Sequence, residues 1–190
     1  MKRVSSQKPQ SMIVQPCFIV GTYNDDGSPN FAPITWISVT VDNDGESYML
    51  VLSTGAKRTG ANLAARGIFS ANLASVDMLG LVDYFGSRSG SDGPKNAIHY
   101  EYENGQFLKV PTLNQSRWVY ECEVVKVVNT APDTNTYFAR IVNTQVPEEY
   151  SGSGNFDVDL VSLDPVVYSG TYHSIARNLG GIGDFMPPDC

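Results

Sequence analysis

The fold class that this 190-residue chain predicts is mainly β: an antiparallel barrel, closed or split, with short helices over its ends. Three observations carry that expectation. Roughly seven runs of β-favouring residues are separated by turn signals of the Asp-Gly kind. Only two stretches have helical character, and both are short. No repeated strand–helix alternation is present, so a doubly wound parallel sheet is disfavoured. The length suits one domain, and with 42% hydrophobic residues and only 17% charged ones the chain is too apolar for disorder.

The elements follow in order. Residues 1–12 read as a loose polar tail, residues 13–175 as the domain and residues 176–190 as a C-terminal tail. The run 17–23 (CFIVGTY) is a strand, and Asp26-Gly27 marks the hairpin turn after it. Residues 30–41 (NFAPITWISVTV) resume the strand pattern, with Pro33 placing it at an edge, at a bulge or near an irregular site. A turn containing Asn43-Asp44-Gly45 leads into strand 47–53. Residues 57–66 (KRTGANLAAR) form a helix stopped by Gly67, and 68–73 return to strand.

Ser75 is the expected N-cap of a helix over 76–85, with Asp77 in its first turn. Met78, Leu81, Val82 and Phe85 fall on one stripe of that helix and read as core. Residues 86–97 (GSRSGSDGPKNA) are a loop long enough for a lid or binding role. Strand 117–128 puts Trp118, Tyr120, Cys122 and Val124 on one face and Glu121 and Glu123 on the other. Lys126 then falls on the apolar face, so a bulge is expected near Val124–Val125. Residues 136–146 are the antiparallel partner, and 165–172 are a last strand or extended arm.

Composition excludes several functions. A net charge of −7 disfavours a nucleic-acid or anionic-membrane surface. MKRVSSQKPQ has no apolar stretch behind its cations, and no apolar run approaches a membrane span, so neither a signal peptide nor a membrane partner is expected. Cys17, Cys122 and Cys190 are odd in number and lack CxxC spacing, which argues against a disulfide scaffold or a zinc site and for a reduced, cytoplasmic chain. Cys17 and Cys122 lie within strands and read as small hydrophobes. His99 and His173 are too few for a metal centre and lack a nucleophile elbow. No metal is expected. The Gly-rich stretch Leu179–Gly183 does not open a helix after a strand and reads as tail.

One segment carries chemistry. Ser53-Thr54-Gly55-Ala56-Lys57-Arg58-Thr59 sits where a strand ends and a helix begins. A helix N-terminus has unsatisfied N–H groups and a partial positive charge. Lys57 and Arg58 are therefore unfavourably placed unless an anion binds there, when N–H groups, hydroxyls and cations converge on it. The competing reading leaves both side chains in solvent. The Walker A pattern is absent, so a phosphate is indicated but not a triphosphate with magnesium. A second segment, Pro29–Trp36, mixes a strand-breaking proline with a Thr-Trp pair; irregular backbone here would free polar groups to bond a planar ring edge. A core or interface role for Trp36 is the alternative.

The runs VGTYNDDGSPNFAPITW, LSTGAKRTGANL, FSANL and LVDYFGSRSG, in this order and at these spacings, resemble the flavin reductase-like, FMN-binding split-barrel family, in particular its flavoredoxin-like branch. The similarity covers roughly residues 14–125, with a weaker echo in LDPVVYSGTYH. It implies a homodimeric split β-barrel holding FMN non-covalently. By position, Ser53, Thr54, Lys57, Arg58 and Thr59 match the phosphate loop, Thr35 and Trp36 the segment along the isoalloxazine edge, and Asn72 the next strand's approach to the flavin. Loop 86–97 matches a variable region near the flavin's open face, where this sequence departs from the branch's commoner pattern; Tyr172 and His173 receive no role.

Three functions are compatible with the resemblance. One is an FMN-dependent oxidoreductase taking hydride from NAD(P)H and passing electrons to a small-molecule or protein acceptor. Another is an FMN-loaded electron carrier without its own nicotinamide site. A pyridoxamine-phosphate-oxidase-like reaction on the related barrel is a third. No catalytic side chain is assigned, because the flavin would carry the chemistry.

Overall fold

A computed structural model describes residues 5, 14–42, 45, 47–90, 95, 97–152, 158–181 and 184–186. Most of the expected N-terminal tail, the turn residues Asn43 and Asp44, residues 91–94 and 96 of the long loop, and Cys190 lie outside the described residues. β1 (Gln15–Pro16) and β2 (Phe18–Tyr23) run into the Asp26-Gly27 turn, where Gly27 has φ 82°. The chain returns as β3 (Pro29–Ile34), with Tyr23 opposite Pro29 and Phe18 opposite Ile34.

The run expected as one strand over 30–41 is two. It leaves the ladder at Thr35 and Trp36 and resumes as β4 (Ile37–Val41), which pairs with β5 (Tyr48–Gly55). The sheet order explains the break. β4 lies at one edge of a seven-stranded antiparallel sheet and β3 at the other, so residues 35–36 carry the chain from edge to edge. Pro33, which has no N–H to donate, stands on the edge strand β3. Ser53 N–H donates to the Trp36 carbonyl at 2.9 Å, which extends the β4–β5 ladder one position beyond Ile37 and Leu52. The barrel is split at the seam between β3 and the β4–β5 end of the sheet.

α1 (Arg58–Arg66) starts one residue after the expected Lys57, and Gly67 ends it at φ 65°. Gly60 sits in its first turn against the end of β5. A Cβ there would lie 2.6 Å from the Gly55 carbonyl oxygen, so only glycine lets the helix start this close to the strand. β6 (Ile68–Leu73) follows. The expected helix over 76–85 is a 3-10 turn at Val76–Met78 continued by α2 (Leu79–Ser87). Ser75 does not cap it, because its hydroxyl is bonded to the Asp77 carboxylate instead. The Met78, Leu81, Val82 and Phe85 stripe is buried, as expected.

β7 (Tyr102–Asn104) and β8 (Pro111–Leu113) form a hairpin absent from the sequence reading; three-residue strands offer too few positions for a period. β9 (Val119–Ala131) and β10 (Thr134–Gln145) are the long central pair. The expected bulge is there. Phe138 faces Lys126 and Ala139 faces Val124, so Val125 is skipped. A short α3 (Leu160–Leu163), capped by Asp159, was also not foreseen. The expected terminal strand is two short pieces, β11 (Val167–Tyr168) and β12 (Tyr172–His173), forming a small sheet with β1.

Two apolar clusters hold these parts together. One fills the barrel and includes Val20, Leu50, Leu52, Phe69 and Tyr137. The other joins Ile19 and Phe31 to the stripe of α2 and to Leu113. Cys17 and Cys122 belong to them as small hydrophobes, and burial pushes the Cys17 thiol up to about 12 and raises that of Cys122 as well.

Candidate functional site

A cleft of about 420 Å³ opens along the barrel seam. That is within the roughly 300–1,000 Å³ range of small-molecule sites. One wall is the end of β5 and the start of α1; the other is the end of α2, from Phe85 to Ser87, with Arg88, Ser89 and Gly90 after it.

The α1 end of the cleft is electropositive. Lys57 is the N-cap residue, in extended conformation, and its side chain makes no cap bond. The first bond within the helix is Ala61 N–H to the Lys57 carbonyl at 3.0 Å, which leaves the Arg58, Thr59 and Gly60 N–H groups outside the helical ladder. No acidic residue stands in the first turn. Lys57 and Arg58 thus add charge to an end that is already positive. Ser53 is bonded to Thr136, 2.7 Å between hydroxyls, which fixes its position on the wall. Thr59 is buried and accepts from Asn30 Nδ2 at 3.0 Å.

Asn30 belongs to a buried polar network behind the helix start. Its amide also donates to Thr22, to which Asn62 donates as well. Toward the middle of the cleft, Thr35 lines the wall and Trp36 is 54% exposed. Seven of the residues singled out from the sequence, Thr35, Trp36, Ser53, Thr54, Lys57, Arg58 and Thr59, border this one cleft.

Asn72 does not. It has no exposed surface, its amide donates to the Ile19 carbonyl at 2.8 Å and to Ser70, and its carbonyl accepts from Leu113 N–H at 2.8 Å. Those bonds tie β6 to β2 and to the β7–β8 hairpin, so Asn72 holds the barrel together and is not part of the cleft.

Lys95 acquires a place that loop composition did not assign. Its ammonium donates to the Phe85 carbonyl at 2.7 Å and the Phe31 carbonyl at 2.9 Å, joining α2 to β3 beside the cleft. Burial, reinforced by Lys57, lowers its pKa to about 8. Arg88 lies on the cleft rim with Ser87 and Ser89. Among the described residues no group of three or more His, Cys, Asp or Glu side chains is placed to hold a metal ion.

Residues 11–176 match the family described as "Flavin reductase like domain". The chain belongs to the flavin reductase-like family. Solved structures agree on its fold. Flavoredoxin from Methanosarcina acetivorans is 21% identical, with 97% of each chain covered and a TM-score of 0.83. Flavoredoxin of Desulfovibrio vulgaris (Miyazaki F) is 20% identical, with 97% of this chain and 99% of that one covered and a TM-score of 0.83. An FMN-binding protein from Thermus thermophilus is 21% identical over 95% of this chain and 99% of that one, with a TM-score of 0.74. No curated protein matches the chain significantly.

Within this family's split barrel, the sequence reading passed over Asn30 and Gly90. A Cβ on Gly90 would lie 2.6 Å from Asn30 Oδ1 and 3.0 Å from Arg58 Cβ, so the 86–90 wall closes directly on the α1 end of the cleft. The glycine was visible in the sequence, but its neighbours 32 and 60 residues away were not.

Proposed function

We propose that this cleft binds FMN non-covalently, one per chain, and that the protein is a cytoplasmic, homodimeric FMN-dependent oxidoreductase taking hydride from NAD(P)H and passing electrons to an acceptor. The observation that supports it is the uncapped, acid-free N-terminus of α1, with Lys57 and Arg58 beside it, opening into a cleft of cofactor size. In this reading Ser53, Thr54, Lys57, Arg58 and Thr59 receive the phosphate, while Thr35 and Trp36 lie along the ring. Bound FMN would supply the hydride and electron chemistry. The chain's groups would position it: N–H donors and cations at the phosphate end, with Phe85 and Ile34 as apolar contacts on the cleft wall. No side-chain acid or base is required.

A phosphate-directed site should favour FMN over riboflavin, and calorimetry on the purified protein tests this; equal affinities would remove the phosphate assignment. Each charge-assisted bond is worth roughly 1.5–3 kcal/mol. Lys57→Ala and Arg58→Ala should therefore each weaken FMN binding by about tenfold to a hundredfold. Wild-type affinity in both variants would mean the cations are merely solvated.

The likeness to two flavoredoxins favours a second reading, an FMN-loaded carrier. Anaerobic mixing of the FMN-loaded protein with NADH and with NADPH separates them. Bleaching of the flavin band supports the reductase. Bleaching by a chemical reductant alone supports the carrier.

A further inference from the structure

A chain of polar side chains runs behind the cleft, from the β2–β3 turn to the start of α1. It begins at Asp26, whose carboxylate can only accept. The Ser28 hydroxyl donates to it at 2.6 Å and the Ser28 N–H at 2.9 Å, and these bonds hold its pKa below the ordinary value. With its proton committed there, Ser28 Oγ accepts from Asn24 Nδ2 at 3.0 Å. Asn24 Oδ1 in turn accepts from Asn62 Nδ2 at 2.9 Å. Each partner fixes the sense of the next, from the turn to the helix. Arg66 clamps the same turn to the far end of α1, donating to the Asn24 carbonyl at 2.8 Å.

Asn62 gives its second N–H to Thr22 Oγ1 at 3.0 Å. Thr22 stands opposite Asn30 in the β2–β3 ladder, and its Oγ1 also accepts from Asn30 Nδ2, at 3.2 Å. Asn30 gives its other N–H to Thr59 Oγ1 at 3.0 Å. An amide has two N–H donors, so neither Asn30 nor Asn62 has one left for a ligand. Thr59 differs. Its oxygen accepts from Asn30, and among the described residues no acceptor takes its proton. Thr59 borders the cleft, whereas Thr22 and Asn62 do not. Thr22 has no exposed surface, and Asn30, Thr59 and Asn62 are at most 5% exposed, so water does not readily replace a lost partner.

We propose that Thr22 is a positioning residue for the phosphate: held by Asn62 and acting through Asn30, it keeps the Thr59 hydroxyl as a donor directed into the cleft. The proposal rests on the FMN reading of the cleft. An ionised phosphate takes hydrogen bonds through its oxygens, and a hydroxyl already turned to donate meets it without reorganisation. Riboflavin, which lacks the phosphate, gains nothing from this orientation.

Calorimetric titration with FMN and with riboflavin tests this on wild type, Thr22→Val, Thr22→Ser, Thr59→Val and the variant combining Thr22→Val with Thr59→Val. Thr22→Val keeps the side-chain shape and removes the acceptor. It should weaken FMN binding by about threefold to tenfold, the worth of one neutral hydrogen bond, and leave riboflavin binding unchanged. Thr22→Ser keeps the hydroxyl and should bind FMN as wild type does. In the Thr59→Val background the effect of Thr22→Val should vanish, because its route to the ligand is gone. Thr22→Cys, similar in size and a weak acceptor, gives the same reading should Thr22→Val not fold. A loss shared equally by FMN and riboflavin, or one that persists in full without the Thr59 hydroxyl, means a purely structural role and overturns the proposal. Wild-type FMN affinity in Thr22→Val or Thr22→Cys overturns it as well, while leaving the cleft reading intact. A wild-type protein that binds riboflavin as tightly as FMN removes the phosphate reading of the cleft itself.

Discussion

Glu121 has no exposed surface and yet is held as a carboxylate. Burial alone would raise its pKa. The amides of Asn143 and Gln145 and the N–H groups of Gln106, Phe107 and Leu108 converge on it at 2.7–3.0 Å and carry the value below the ordinary carboxylate range. Its stabilisation is complete above the ordinary carboxylate value and is lost as pH falls through the lower folded-state value. Glu121→Gln puts an amide among donors, and the loss expected for such a buried group is roughly 1.5–3 kcal/mol. Denaturant titrations at pH 7 and pH 3 check this, and a difference that stays the same at both would contradict it. Lys95 has the opposite sign. With its folded pKa near 8, against 10.5 for the exposed group, its charge burden is full below about 8 and is relieved as pH rises toward 10.5. The stability difference between wild type and Lys95→Met should therefore shift in favour of wild type across that interval; a flat difference would refute it. Neither role was legible locally. The alternation along β9 put Glu121 with Glu123, which is exposed, because the β7–β8 connection that covers only one of them is formed by tertiary folding.

At the scale of elements, the start of α1 was the most legible feature, since the end of the preceding strand, the cation pair and Gly67 all fall within residues 53–67. Its closeness to β5 depends on Gly60. In Gly60→Ala the new methyl meets a backbone carbonyl, which cannot rotate away, so the first turn must lift from Gly55. The expected outcome is a fall in thermal midpoint together with an FMN affinity at least about tenfold weaker, since the N–H groups lose their aim. An unchanged FMN affinity would show that the helix start does not position the ligand. The break at Thr35–Trp36 was harder to see. Its residues have ordinary strand propensity, and only the pairing of β4 with β5 pulls the chain off the first edge.

For the whole molecule, the barrel leaves part of its apolar register uncovered. Val41 pairs with Tyr48, on the same ladder as the buried Ile37–Leu52 pair, yet the two are 54% and 46% exposed. Val39 on the same strand is 46% exposed. A second copy packed on this edge would bury the strip, which supports the homodimer of the proposed function. Light scattering should give twice the 20.7 kDa chain mass at micromolar concentration, and Val41→Asp should shift the equilibrium toward the single chain. A wild-type monomer that still holds FMN would contradict the link between dimer and site. Among the described residues no helix is long and apolar enough to cross a membrane.

What this sequence determined by itself was local: antiparallel strands, the Asp-Gly hairpin, the bulge at Val125, the helix stopped by Gly67, and the hydroxyl and cation cluster at a strand-to-helix junction. Each rests on residues within about one element of each other, where period and turn chemistry act directly. Tertiary structure alone decided which edges meet, and so that Thr35 and Trp36 stand across a cleft from segment 86–90, that Asn72 is committed to the barrel, and that Lys95 bridges α2 and β3. Those outcomes depend on contacts between residues far apart in the chain, set by closing the barrel and burying its two cores, and no local pattern records them.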